Sequence, residues 1–573
     1  MLLKSQGLPW LLSSLLPFVL LYFYFDEVKA CLQNLRAALR YLWNIPFLIW
    51  LVVQVLLGVS LFNVNDGVRT PWVNNYGDLT FHLGMISHFT WQGDFLPEYH
   101  IFSGESLSYP FFVNLWSTVL WRPLPSFPAL SAVFAAQWVL LWSVVYAVLV
   151  QKRGFFLPWL LLLGGGSLIA VFTKPEYSWR LINEGYPWTT WLSTVWVTQR
   201  SALMGLAVCT AAAGLVFNLP KFESHGRVHY AFAGALLAFT PLVHTHFFVV
   251  TSLFLGGYLF LIAIVKYRQH SLQIQEFSWS SFCSLESSQK FLVLFFFTCI
   301  SIVFFPVLLG KSGMASLMLG WSVPVTPAGL NSIATSFIMW MKNAWPWAAV
   351  MLFIWWVTRA HLRCALLVGL FLLGNILKLA TWDWDQLKFF IAIFALMLVL
   401  WSDALEKLKV ERLGQIKQFI PHALFALLLM IPGTIELFKV VKEGGDYQVY
   451  NSMRIELAAL VRNNTEPEDI IASPDDHNSA ATLSGRSLFY GYPGTLASHN
   501  LNYHDREVIQ KDISKIQKCF NLLKDNKQEC PSYIVWGESA RKYWHRVKPN
   551  NGYEEVAKTA NGEFGLYRVG ESK

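Results

Sequence analysis

Eleven stretches of mostly apolar residues recur along the chain, each close to the roughly 17–22 residues a helix needs to cross the hydrocarbon core of a bilayer. They read as spans at 42–62, 128–150, 156–173, 201–218, 229–246, 247–265, 290–310, 341–357, 364–380, 386–402 and 419–437. A further apolar run at 8–25 has no strong basic start and no A-x-A-like cleavage site, so it reads as an extra helix rather than a signal peptide. Composition agrees: 54% of the 573 residues are hydrophobic and 14% are charged, against about 25% charged in an average soluble chain. The expected fold class is an α-helical polytopic membrane protein of about 11–12 transmembrane helices with a small C-terminal α/β extracytoplasmic domain.

Basic residues set the expected orientation. Lys29, Arg36, Arg40, Lys152, Arg153, Lys221, Arg227, Lys266, Arg268, Arg359, Arg363, Lys407, Lys409, Arg412 and Lys417 fall in alternate short loops, which places those loops in the cytoplasm. The net charge of +8 therefore reads as positive-inside bias and not as a nucleic-acid footprint. The remaining segments, 63–127, 174–200, 311–340, 381–385 and everything after 438, go to the outer face. Three regions follow: an N-terminal apolar segment and basic loop over 1–41, a transmembrane domain over 42–440 with a large outer loop at 63–127, and a soluble α/β domain over 441–573. That last region holds 35 of the 80 charged residues and alternates strand-like runs at 470–472, 533–536 and 564–567 with a polar helical stretch at 503–525. No Walker loop or GxGxxG occurs in it. With seven cysteines and no CxxC pair, only Cys519 and Cys530 share an aqueous region, where an oxidising compartment would let them pair.

The unusual polar residues cluster in the outer loops. Asp78 and His82, four apart and preceded by Tyr76, share a face if the segment is helical; alternatively Asp78 is the N-cap of a helix over 79–90. Arg200, at the head of a span, either snorkels to the interface or holds a lipid phosphate through its guanidinium fork. His244 and His246 would point about 200° apart on a continuous helix, which disfavours a shared metal and leaves one of them for substrate. Asp385 and Lys388, beside Trp382 and Trp384, form either a local ion pair or a carboxylate-and-aromatic sugar site. In the tail, His477, Asn478 and Arg486 could cap a membrane-facing cavity from outside.

A cytoplasmic start, a long first outer loop with an Asp and a His four later, and about eleven helices together resemble the GT-C superfamily. These are membrane glycosyltransferases that include protein O-mannosyltransferases and aminoarabinose transferases of lipid A. The resemblance implies a polyprenyl-phosphate-linked sugar donor, a lipid, glycan or protein acceptor, and catalysis on the non-cytoplasmic face of a bacterial inner membrane or an ER membrane. By that resemblance the role of base falls on Asp78. Read from the residues themselves, His82 stands beside it, and donor phosphate or substrate falls to Arg200, His244, His246, Asp385, Lys388 and Tyr76. One departure stands out: many members carry a paired acidic motif where this chain has a lone Asp78 followed by Leu79. No cofactor or nucleic-acid partner is implied, and a divalent metal is left open. Two other classes fit the same map, a multi-pass transporter and a polysaccharide polymerase or ligase using a lipid-linked donor. Against transport stands the lack of an inverted repeat and of paired Gly/Pro-broken helices.

Overall fold

The computed structural model of the chain describes residues 45–92, 98–150, 156–166, 190–217, 226–271, 279–301, 318–319, 333–379, 383–410, 415–443, 445–519, 530–545, 549 and 552–570. The chain forms two compact units, Met1–Leu56 and Leu57–Lys573. In the first, the described residues are the start of helix α1 (Ile45–Val59). All that follows concerns the second.

The apolar runs become helices. With two helices inside the expected outer loop, α2 (Val73–Gln92) and α3 (Phe112–Trp121), the helices are α4 (Phe127–Val150), α5 (Leu157–Leu163), α6 (Arg200–Phe217), α7 (Gly226–Phe239), α8 (Thr245–Ser271), α9 (Glu286–Cys299), α10 (Ile333–Thr358), α11 (His361–Ile376), α12 (Asp383–Val410) and α13 (Gln415–Glu443). Each of the eleven expected spans overlaps one of these or α1, while the run 8–25 and, within the spans, residues 42–44, 167–173, 218, 302–310 and 380 lie outside the described residues. Among the described residues, five segments are long and apolar enough to cross a membrane: Phe127–Val150, Arg200–Phe217, Thr245–Gln269, Asp385–Leu405 and Ala423–Lys442. Burial separates the hub from the rim. Residues 386–404 are buried without a break, packed against α6, α8, α10 and α11. By contrast Leu352, Trp356, Leu372 and Leu424 are exposed on α10, α11 and α13. Large apolar side chains on an outer face are costly in water and at home against acyl chains.

Strands β1 (Asn63–Val64), β2 (Gly67–Thr70) and β3 (Tyr447–Asn451) form one antiparallel sheet in the order β1-β2-β3. Gly67 faces Asn451 and Thr70 faces Tyr447 in its register, and Arg69 pairs with Asp446 at 2.5 Å across the same edge. Because this sheet joins the first loop to the start of the tail, those two segments lie on the same side of any membrane the helices cross.

Beyond β3 the chain builds a second sheet from β4 (Ile470–Ala472), β5 (Ser487–Leu488), β6 (Tyr533–Trp536), β7 (Tyr553–Lys558) and β8 (Gly565–Val569), in the order β7-β8-β6-β4-β5. The three strand-like runs of the tail are thus strands, with β4 parallel to β5 and β6. The single helix expected over 503–525 is corrected within its described part, which breaks into the short helices His504–Gln510 and Ile513–Gln517, while 520–525 lie outside the described residues. Asp512 starts the second by accepting from the Ser514 amide at 2.9 Å, which breaks a continuous helix in favour of a cap. Cys519 and Cys530 are joined in a disulfide. The apolar core of this sheet runs without interruption into Met85 and Phe89 of α2 and into the hairpin residues Tyr99, Ile101 and Phe102. Burial of α2 is therefore what fixes the tail against the outer loop.

Candidate functional site

Helix α2 begins at Val73, six residues before Leu79, so Asp78 is not an N-cap. Tertiary contacts start it early: Asn75 donates to the Leu61 carbonyl at 2.7 Å, and Thr70 donates to the same carbonyl at 2.8 Å. These contacts offset the roughly 1 kcal/mol that Gly77 costs inside a helix. Asp78 sits half-buried on the second turn with Gln199 within hydrogen-bond reach and Asp385 and Lys388 as its charged neighbours. Lys388 donates to Asp385 in a buried ion pair, and Gln199 reaches Asp385 as well. Thus three segments distant in sequence, the loop helix α2, the head of α6 and the head of α12, place polar groups at one point. A π-helical turn, Leu192–Trp196, leads directly into Gln199 and Arg200; such turns re-aim the side chains that follow them.

Burial pushes the Asp78 carboxyl up to about 6; the Asp385 carboxylate adds to this, while Lys388 and the Gln199 hydrogen bond work against it. A carboxylate held there is ionised at neutral pH yet markedly more basic than a free Asp, as a general base requires. Tyr109 lines the same space, close to Asp78 and Asp385, with its hydroxyl bonded to Ser201. His499, from the tail, stacks on the Tyr109 ring at 5.4 Å and 13°.

Arg200 is buried, and its guanidinium donates to Ser117 Oγ at 2.8 Å, Gln137 Oε1 at 3.3 Å and Asn114 Oδ1 at 2.7 Å. The group also lies over the Phe134 ring, 3.5 Å from its centroid. Among the described residues no carboxylate pairs with it, so its charge is held by neutral dipoles alone. Since Asn114 Oδ1 accepts from Arg200, Asn114 Nδ2 must donate to His82 Nδ1, 3.1 Å away. His82 is therefore neutral, with its proton on Nε2. Burial holds it down to about 3, with the Arg200 charge adding to the effect. Asp78 and His82 belong to one helix, but His82 faces Arg200 and Asn114 while Asp78 faces Gln199 and Asp385.

The expectation that His244 and His246 point apart is corrected. A 3-10 turn at Thr240–Leu242 precedes α8, which breaks the helical phase and brings the two rings to 5.5 Å between centroids. Lys388 is a charged neighbour of both, and Asp385 of His246. Among the described residues no group of three His, Cys, Asp or Glu is placed to hold a metal ion. Tyr76 is on the other flank of α2, its ring 5.6 Å from His477 and 6.4 Å from Tyr447.

Asp78, His246, Asp385 and Lys388 thus gather in one cluster, with Arg200 and His82 adjoining it through Tyr109 and His499. Gln199, Tyr109, Asn114, Ser201 and His499 are site residues that the sequence did not single out for roles. Gln199 carried a signal, since it directly precedes Arg200 at a span head; His499 carried none, because only the tail fold brings it in. Of the other acids in the first loop, the exposed Glu98 carboxylate accepts from the Gly104 amide at 2.9 Å across its own hairpin, and Asp94 lies outside the described residues.

No family model matches the chain, and no curated protein does. Solved structures do. The aminoarabinose transferase ArnT from Cupriavidus metallidurans, bound to undecaprenyl phosphate, is 11% identical over 92% of this chain and 98% of that one, with a TM-score of 0.48. The oligosaccharyltransferase of Archaeoglobus fulgidus, tethered with an acceptor peptide, is 12% identical over 93% of this chain and 75% of that one, with a TM-score of 0.44. The same organism's AglB, in complex with an inhibitory peptide and a dolichol-phosphate, gives 13%, 91%, 74% and 0.42.

Proposed function

We propose that the chain is an integral-membrane glycosyltransferase of GT-C type that moves a sugar from a polyprenyl-phosphate donor to an acceptor on the non-cytoplasmic face. The observation that carries this reading is the convergence of Asp78 with Gln199, Asp385 and Lys388 at the ends of apolar helices, where a lipid-borne phosphate and an aqueous acceptor can meet. The acceptor hydroxyl or amine attacks the anomeric carbon and gives its proton to Asp78. The anomeric C–O bond breaks with its electron pair leaving on the polyprenyl phosphate, and a single displacement inverts the anomeric centre. Lys388 and Arg200 supply the positive charge that the departing phosphate needs. Arg200 suits this because, among the described residues, no carboxylate pairs with it, and the Asn114, Ser117 and Gln137 cage holds it rigid.

Two observations bear on the polarity: the alternation of basic loops and the Cys519–Cys530 disulfide, a bond that persists in oxidising compartments. Both support a polarity with the outer loop and the 441–573 domain outside the cytoplasm. Labelled sugar transferred from a polyprenyl-phosphate donor by the protein in proteoliposomes, without net flux of free sugar into the lumen, supports the enzyme reading. Flux without transfer would make the protein a carrier instead.

A further inference from the structure

Away from Asp78, the other flank of α2 meets the tail in a cluster of rings. His477 Nε2 donates to the Gly77 carbonyl at 2.7 Å, and its ring lies 5.6 Å from Tyr76 and 5.2 Å from Tyr492. Tyr447, on β3, completes the group at 6.4 Å from Tyr76. Tyr447 and Tyr492 are each 39% exposed.

These exposed rings are fixed. A Cβ on Gly445 would come within 2.6 Å of the Tyr447 ring, and one on Gly494 within 2.6 Å of the Tyr492 ring, so each tyrosine is seated against bare backbone. Gly77, by contrast, has nothing within 4 Å of its side-chain position, which leaves open space at the head of α2. The surroundings are polar: Asp446 pairs with Arg69, and Asp476 approaches Arg454 at 3.8 Å. Rigid aromatic faces that end in hydroxyls and are ringed by charged groups match the C–H face and hydroxyl edge of a pyranose, not an acyl chain.

We propose that Tyr76, Tyr447, Tyr492 and His477 form a carbohydrate subsite that holds a non-reacting sugar of an extended acceptor glycan. This rests on the glycosyltransferase reading. Two residues along a helix place Tyr76 and Asp78 about 200° apart around its axis. Across a helix about 10–12 Å wide, a sugar on the rings is one or two units removed from the proton-accepting carboxylate. The subsite therefore spends remote binding energy on acceptor length.

The test uses full-length protein in nanodiscs and its Tyr447→Ala/Tyr492→Ala variant. The probes are labelled mono- to tetrasaccharides of glucose, mannose and galactose, with an unstructured peptide and phospholipid vesicles as controls. Donor hydrolysis, meaning sugar release from the polyprenyl phosphate to water, is measured in the same preparations. The expected result is wild-type binding of one oligosaccharide series that strengthens from one unit to three. It falls at least tenfold in the variant, with donor hydrolysis and melting unchanged and binding regained in Tyr447→Phe/Tyr492→Phe. Absence of glycan binding, equal binding by the Ala variant, or preference for the peptide or the vesicles would overturn the subsite, even with donor hydrolysis intact. Absent donor hydrolysis in the wild type beside intact glycan binding would overturn the transferase reading on which the acceptor role rests.

Discussion

Acidification from pH 7.5 to 5 is expected to loosen the outer half of the molecule, because buried imidazoles join the loop helix to the tail. Burial holds His88 and His499 down to about 4 and His82 down to about 3, against an ordinary histidine near 6.5. His100, also buried, is pushed well down in the same way. The charged neighbours differ: Arg486 reinforces the effect at His88, Arg200 at His82, and Asp385 opposes it at His499. A histidine lowered in the folded state binds fewer protons than the unfolded chain between its two pKa values, so its stabilisation is complete above about 6.5 and is lost as pH falls. At about 1.4 kcal/mol per unit, the drop from 6.5 to 5 costs roughly 2 kcal/mol for each of the three, about 6 in total. Asp78 works in the opposite sense, since its raised pKa of about 6 returns about 1.4 kcal/mol between pH 6 and 5. The net loss, on the order of 5 kcal/mol, matches the whole stability of many domains. Intrinsic-fluorescence melting should therefore show Tm falling by on the order of 5–10 °C between pH 7.5 and 5. His499→Phe, which keeps a ring against Tyr109, should remove about two-fifths of that fall. A Tm that stays level or rises on acidification, or an unchanged slope in His499→Phe, would refute the argument.

Other expectations follow from the same contacts. Replacing Lys388 with Met removes the cation that holds the Asp78 carboxyl down, so the acid limb of the pH–rate profile should move upward from about 6 by on the order of one unit; an unmoved limb separates the two residues. Arg200→Lys keeps a charge but loses the fork onto Asn114, Ser117 and Gln137, so turnover should drop at least tenfold in a folded protein, while unchanged donor affinity in Arg200→Ala would remove this residue from the donor site. Cys519→Ser/Cys530→Ser should cost about 2–3 kcal/mol of tail stability in denaturant melts, and accessibility of cysteines introduced in the tail, but not of ones introduced between 403 and 418 where α12 gives way to α13, from outside spheroplasts checks the orientation.

The helical architecture was legible because hydrocarbon thickness imposes a run length that composition displays directly. The three strand runs of the tail were legible because buried central strands such as Tyr533–Trp536 are continuously apolar. What failed was local geometry under tertiary control. Of the two readings left open for Asp78, the cap fails: Asn, Gly and Asp favour helix starts, yet the Asn75 contacts to Leu61 and Thr70 carry the helix back to Val73. His244 and His246 read as divergent because periodicity assumes one helix, yet Pro241 sits in a 3-10 turn that shifts the phase. The convergence of Gln199, Tyr109 and His499 around Asp78 depends on which helix ends meet, and single-sequence spacing holds no record of that.

The central claim is that the Asp78 carboxylate accepts the acceptor's proton during transfer from a polyprenyl-phosphate sugar. Asp78→Asn keeps the size and the hydrogen bond to Gln199, and removes only the basic oxygen. Single-turnover transfer of labelled sugar, at saturating donor and neutral pH, is the most direct measurement. The account predicts a fall of about 10²–10⁴-fold with melting nearly unchanged. Transfer by Asp78→Asn within a few-fold of wild type would contradict it.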